Sequence, residues 1–195
     1  RKNTLTPSPV KIEAKHLGLT VKQPKTKKEL TTVLKGIKVD FFVVIAYGMI
    51  LPEEILEMPK HGTINVHASL LPKYRGASPI QESLLMDDKE TGISIMQIDK
   101  ELDHGPIIMI KKINIEENDD LKTLSEKLSN LSSQILPLAL EDIMDGIFSP
   151  ISQNHNKATY CKKIKKTDGK IDWNKGACEI KNMIKAYKIW PSVYF

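Results

Sequence analysis

Residues 41–46 read Phe41-Phe42-Val43-Val44-Ile45-Ala46, and residues 63–67 read Thr63-Ile64-Asn65-Val66-His67. The first is a continuous apolar run rich in β-branched side chains, which predicts a strand buried on both faces of a parallel sheet. Tyr47-Gly48 ends it, and Leu51-Pro52-Glu53-Glu54 opens a helix with proline and acids in its first turn. The second run is another strand. Outward from this pair, helices are expected over 10–17, over 28–37 with a close near Gly36, over 78–87 with Ser78 as cap before Pro79, and over 175–188. Residues 91–98 and 106–115 read as strands. Leu121, Leu124, Leu128, Leu131, Ile135 and Leu138 recur at three- and four-residue steps, marking 119–145 as the longest helix. Gly146 should stop it, and Pro137 should kink or divide it. This alternation predicts an α/β fold with a mostly parallel, Rossmann-like sheet flanked by helices.

The chain has 195 residues, 41% apolar and 27% charged, which is a globular composition. No apolar run nears the roughly 18 residues of a membrane span, so no membrane partner is expected. Arg1-Lys2-Asn3-Thr4-Leu5-Thr6-Pro7 lacks the apolar stretch of a secretion signal. Cys161 and Cys178 stand far apart and outside any CxxC pair, so neither a disulfide framework nor a zinc site is expected, and the cytoplasm is the expected compartment. The net charge of +5 is unevenly spread. Residues 1–38 hold ten Lys/Arg against two Glu, and residues 155–195 hold ten against three acids. Between them, 39–154 holds nine Lys/Arg and nineteen acids. Two basic ends around an acidic middle suit a phosphate-backbone partner, although charge alone describes a solvated lysine surface equally well.

Chemistry concentrates in two places. Asn65 and His67 lie two apart on a strand and so share a face, at the C-terminal end where open α/β sheets bind ligands. An amide donor beside an imidazole suits a carbonyl oxygen that gains negative charge under attack. Read alone, such a pair is more often an ordinary hydrogen-bonding one. The second place is Asp99-Lys100-Glu101-Leu102-Asp103-His104-Gly105-Pro106, a polar loop between two strands, where a carboxylate can orient His67. By itself Asp103 reads as a turn-former beside Gly105. His16, His61, His104 and His155 are scattered and read as surface or structural residues. No G-x-G-x-x-G or Walker motif appears, and no set of ligands has metal spacing, so neither a dinucleotide nor a metal is expected.

Taken together, Asn65-Val66-His67, then Ser69-Leu70-Leu71-Pro72-Lys73-Tyr74-Arg75-Gly76, then Leu102-Asp103-His104-Gly105 resemble the folate-dependent formyltransferase superfamily. Pro7-Ser8-Pro9-Val10-Lys11, Ala46-Tyr47-Gly48-Met49-Ile50-Leu51-Pro52, Arg75-Gly76-Ala77-Ser78-Pro79-Ile80-Gln81 and Ile171-Asp172-Trp173 look like its methionyl-tRNA formyltransferase branch. The resemblance runs from Arg1 to about Phe195. It implies Asn65, His67 and Asp103 as the catalytic set. Ser69, Leu70, Leu71 and Pro72 would lie against the folate, and Tyr47, Gly48, Met49 and Ile50 in its pterin pocket. Arg1, with Lys2 and Lys11 nearby, would face tRNA. The family pattern further implies a catalytic domain over 1–150 without its first strand and helix, and a linker region over 151–195 leading to a C-terminal β-barrel.

The implied reaction moves a formyl group from 10-formyltetrahydrofolate, a co-substrate, to the α-amine of initiator methionyl-tRNA, with no metal and with the enzyme as a monomer. Asn65 and protonated His67 would hold the oxyanion while Asp103 helps take the amine proton. A hydrolase with water as acceptor is the nearest rival, and a non-catalytic tRNA-binding protein is a rival of another class. A cis Leu71-Pro72 peptide is expected at the folate turn. Both basic ends, including Lys181, Lys185 and Lys188 on the last helix, are expected to carry tRNA affinity.

Overall fold

The computed structural model of the chain describes residues 6–195. Its elements run α1 (Pro9–His16), α2 (Lys27–Leu34), β1 (Phe42–Ile45), α3 (Glu53–Leu56), β2 (Thr63–His67), β3 (Arg75–Gly76), α4 (Pro79–Leu85), β4 (Glu90–Gln97), β5 (Ile107–Asn114), α5 (Leu121–Met144), β6 (Tyr160–Cys161) and α6 (Ala177–Ala186). Two short 3₁₀ turns, His155–Lys157 and Lys166–Gly169, flank β6. The main sheet has the order β1-β2-β4-β5, and β3 pairs with β6 in a small second sheet. The α/β class is as expected, but the main sheet is mixed. β1 and β2 run parallel, while β2–β4 and β4–β5 are antiparallel. For β4 and β5 the reason is connectivity: only a short loop separates them, which permits a hairpin and forbids a parallel crossover.

The core lies between the sheet and α5, where Ile64, Val66, Ile93 and Ile95 meet Leu124, Leu128, Ile135 and Ala139. Asp120 caps α5 through a reciprocal capping box with Thr123. Pro137 does not divide this helix, which is continuous over Leu121–Met144. Its fully buried positions end on Ala139, not on Leu138, which is 52% exposed. The 3.6-residue repeat explains the correction. Ala139 stands five full turns beyond Leu121, and Leu138 is about 100° away from that line.

Strand β1 departs from the expectation of burial on both faces. It is half-buried, with Val43 41% and Ile45 56% exposed. β1 is the sheet edge, and those two residues share one face of it. Residues 151–195, expected as a linker region, are woven into the same body. Ile151 forms a bridge with Ile107, β6 pairs with β3, and α6 packs on α4.

Candidate active site

Parallel pairing of β1 and β2 puts the loops that follow them, 46–50 and 68–74, on one edge of the sheet. Asn65 and His67 stand at that edge. The loop between β4 and β5 brings Asp103 to them from thirty-eight residues beyond Asn65. Asn65 Nδ2 donates to Asp103 Oδ1 at 3.3 Å, and His67 Nδ1 stands 3.7 Å from Asp103 Oδ2. His67 Nε2 donates to the Tyr74 carbonyl at 2.9 Å. That contact fixes the ring and leaves Nδ1 as the nitrogen that faces Asp103. The Gly76 N–H donates to Asp103 Oδ2 at 2.8 Å. Each carboxylate oxygen thus accepts one N–H, and one N–H of the Asn65 amide remains for a ligand.

Two glycines make this convergence possible. Gly76 has φ +118°, and a Cβ there would lie 2.3 Å from the Cys161 carbonyl oxygen. At Gly105 a Cβ would meet the Gln97 carbonyl at 2.0 Å. Asp103 itself sits at φ 48°, a left-handed conformation that aspartate tolerates better than most residues.

Several bracing residues carry no pattern that sequence reading detects. Thr159 takes the Tyr74 N–H on its hydroxyl at 2.9 Å and the Arg75 N–H on its carbonyl at 2.8 Å. Cys161 is buried, accepts the Ser78 N–H at 3.3 Å, and points its thiol at the Tyr74 and Arg75 carbonyls. Burial pushes that thiol's pKa up, so it stays neutral. Burial, followed by the hydrogen bond to Asp88, pushes the Tyr74 phenol up as well. Arg75 is buried and reaches Gln153, Tyr160 and His155 Nδ1. His155 stacks on His104 at 3.9 Å, and His104 bonds Asp99.

The residues expected at the folate divide into two groups. Ser69 and Leu71 are buried, and Ser94 clamps their stretch by donating to Ser69 O at 2.7 Å and accepting from Leu71 N at 3.0 Å. Leu70 and Pro72 are half-buried, and the Leu71-Pro72 peptide is cis as expected. Across the edge, Tyr47, Gly48 and Ile50 are exposed and Met49 is half-buried. Of the expected tRNA contacts, Arg1 and Lys2 lie outside the described residues, and Lys11 bonds Gln23. Lys181 and Lys185 of α6, and Lys188 just beyond it, are not free. Lys181 pairs with Glu117 at 3.1 Å, Lys185 bonds the Glu117 carbonyl, and Lys188 pairs with Asp120. Among the described residues no cluster of three His, Cys, Asp or Glu side chains is placed to hold a metal ion. None of their helices is long and apolar enough to cross a membrane.

Against known proteins, the family model described as formyl transferase matches residues 1–140. The chain belongs to the formyl transferase family. A second model of this family, its C-terminal domain, matches residues 163–195. The methionyl-tRNA formyltransferase of Caldicellulosiruptor saccharolyticus is 48% identical over all of the chain, and that of a Sulfurihydrogenibium species is 45% identical. The chain spans 63% of the length of each of these relatives. Among solved structures, the N-formyltransferase from Helicobacter canadensis, in complex with folinic acid and dTDP-3-aminofucose, superposes with a TM-score of 0.77. That likeness covers 100% of this chain and 72% of the other, at 22% identity, and shows a shared formyltransferase fold.

Proposed function

We propose that this chain carries the transfer centre of a methionyl-tRNA formyltransferase. It would move a formyl group from 10-formyltetrahydrofolate to the α-amine of initiator methionyl-tRNA for translation initiation. The observation that carries the reading is the convergence of Asn65, His67 and Asp103 at the sheet edge. The neutral amine attacks the formyl carbon, a C–N bond forms, and the carbonyl oxygen becomes an oxyanion. The free N–H of Asn65 and the Nδ1–H of protonated His67 hold that charge. Asp103 accepts the amine proton, directly or through a water. The intermediate then expels the folate N10, and the proton returns to it. Nearly all of the rate arises from positioning and from donors fixed before the reaction.

The folate lies across the two loops of the edge. Its apolar contacts come from Tyr47, Met49, Ile50, Leu70 and Pro72, while Ser69 and Leu71 shape the turn from inside. Exposed lysines of residues 6–38 take the tRNA backbone, with Arg1 and Lys2 as expected partners beside them. The enzyme acts as a monomer in the compartment where initiator tRNA is charged. Support for the tRNA acceptor comes from the relatives of 45–48% identity. The test supplies the intact protein with 10-formyltetrahydrofolate and offers charged initiator tRNA or water alone. Formyl-methionyl-tRNA is the expected product. Folate hydrolysis without tRNA formylation would mark the water-using rival, and tRNA binding without either reaction would mark a binding protein.

A further inference from the structure

The catalytic set stands on two separate pieces of chain, residues 65–76 and residues 103–105. Their relative placement decides whether Asp103 faces His67. The direct contacts between them are few: the Gly76 N–H, the Asn65 amide, and the longer approach of His67. Two further side chains touch both pieces: His155, which bonds Arg75 and stacks on the His104 ring, and Gln153, which binds the backbone of the Asp103 loop directly. Gln153 Nε2 donates to the Asp103 carbonyl at 2.9 Å and to the Gly105 carbonyl at 2.7 Å. Its Oε1 accepts from Arg75 Nη2 at 2.7 Å and from Arg75 Nε at 3.2 Å.

Arg75 is the residue between the two backbone groups that serve the site. The Tyr74 carbonyl before it fixes His67, and the Gly76 N–H after it fixes Asp103. We propose that Gln153 is a positioning residue for formyl transfer, a clamp that holds the Asp103 loop against the segment orienting His67. This inference rests on the formyl-transfer reading above.

Four features support it. The Gln153 side chain is buried, at 5% exposure. Its amide has two donors and two acceptor sites, and all four are used. A flipped amide would aim N–H groups at a guanidinium and oxygen at two carbonyls, so the orientation is determined by its partners. Asp103 keeps its left-handed backbone while Gln153 binds its carbonyl, and Gly105 beside it has no room for a side chain. Finally, Gln153 is anchored on its own side, because Ile151 exchanges two backbone bonds with Ile107, at the start of β5.

The neutrality of the clamp also matters. Arg75 is a buried cation that pairs with no carboxylate among the described residues. A direct Arg75–Asp103 pair would occupy the carboxylate that must accept a proton. The Gln153 amide satisfies the guanidinium and reaches Asp103 only through its backbone carbonyl.

Gln153→Glu tests this in the intact protein, because it keeps an acceptor for Arg75 and removes both donors. We expect kcat for methionyl-tRNA formylation to fall about 10–100-fold, the cost of a misplaced catalytic group. KM for both substrates and the affinity for 10-formyltetrahydrofolate should stay within about twofold. In an Asp103→Asn background the same change should cost almost nothing more, since Gln153 acts through Asp103. Full additivity of the two effects, or an equal drop in folate binding, would show a merely structural residue and overturn the proposal. So would an unchanged kcat. Gln153→Met, of similar shape without either polar group, is the fallback for a variant that does not fold. If neither folds, the role is structural and the proposal fails. A wild-type protein that formylates nothing refutes the functional reading itself, whatever Gln153 does.

Discussion

Residues 6–60 and residues 61–195 differ in how far they bury their polar side chains. In the first region only Leu30, Ile55 and Pro59 are buried, and its lysines make no ion pair among the described residues. Tyr47 and Ile50 stand 43% and 77% exposed. In the second region Ser69, Arg75, Ser94 and Gln153 are buried and hydrogen-bonded, and Lys181 and Lys188 are neutralised by carboxylates. The difference separates two tasks. Groups proposed to meet a large or flat partner stay largely in water. Groups that must sit still during chemistry are held by bonds already formed.

The largest effect is expected where bracing is tightest. His67→Ala should lower kcat by about 10²–10³-fold, the cost of losing one oxyanion donor. Folate affinity should barely change, because the interaction strengthens in the transition state. Steady-state kinetics with separate folate-binding titrations check this. An equal drop in both would move His67 from the chemical to the binding side of the comparison.

Next in size is the open lysine surface. Reversing Lys15, Lys22, Lys25 and Lys28 to Glu should weaken tRNA binding about 10–100-fold at low salt. It should also flatten the salt slope by about 0.7–0.9 for each phosphate that is no longer neutralised. Folate binding should be unchanged. The same reversal at Lys181, Lys185 and Lys188 should leave the slope alone. If the α6 variant flattens it instead, the pairing with Glu117 and Asp120 is given up when tRNA binds.

A smaller change is expected at the folate edge. Tyr47→Ala should weaken 10-formyltetrahydrofolate about fivefold, in line with the roughly 1 kcal/mol of an aromatic contact. The rate at saturation should hold. A fall confined to kcat would mean that this loop takes part in the reaction step.

How much of this was legible beforehand follows the same division. Local pattern located β2 at its observed bounds and placed α4, β4, β5 and α5 within a few residues, because alternation and capping are local. The family motifs singled out Asn65, His67 and Asp103 before any geometry brought them together. The exposure of β1 was not legible. An apolar run reports what a strand can bury, and the neighbouring elements decide what it does bury. Pairing of the α6 lysines was also hidden, since Glu117 and Asp120 lie more than sixty residues before their partners. Gln153 and Thr159 left no trace at all. A polar residue in a loop looks the same whether it faces water or clamps a buried carbonyl.

The smallest expected effect tests whether the paired C-terminal lysines serve the fold. Asp120 is the N-cap of α5, accepts the Lys122 and Thr123 N–H groups, and pairs with Lys188. The Lys188 ammonium holds its carboxyl below the usual range against the opposing effect of burial, and the Thr123 and Lys122 N–H groups add to the lowering. A carboxyl depressed in the folded state stabilises fully above its unfolded pKa of about 3.9, and the benefit is lost as pH falls through the folded value. Asp120→Ala should therefore cost about 1–2 kcal/mol near neutral pH, the usual cost of a lost N-cap. Lys188→Ala should cost less than about 1 kcal/mol, because Lys188 is more than half exposed and water screens the pair. Urea midpoints at unchanged m-value measure both. The gap between wild type and Asp120→Ala should persist from pH 7 to about pH 5 and close as the solution is acidified through about pH 4 and below. A gap that does not depend on pH would mean that the ionised carboxylate is not what caps α5. A Lys188→Ala variant that keeps its stability and loses tRNA affinity would place α6 with the open lysine surface of residues 6–38.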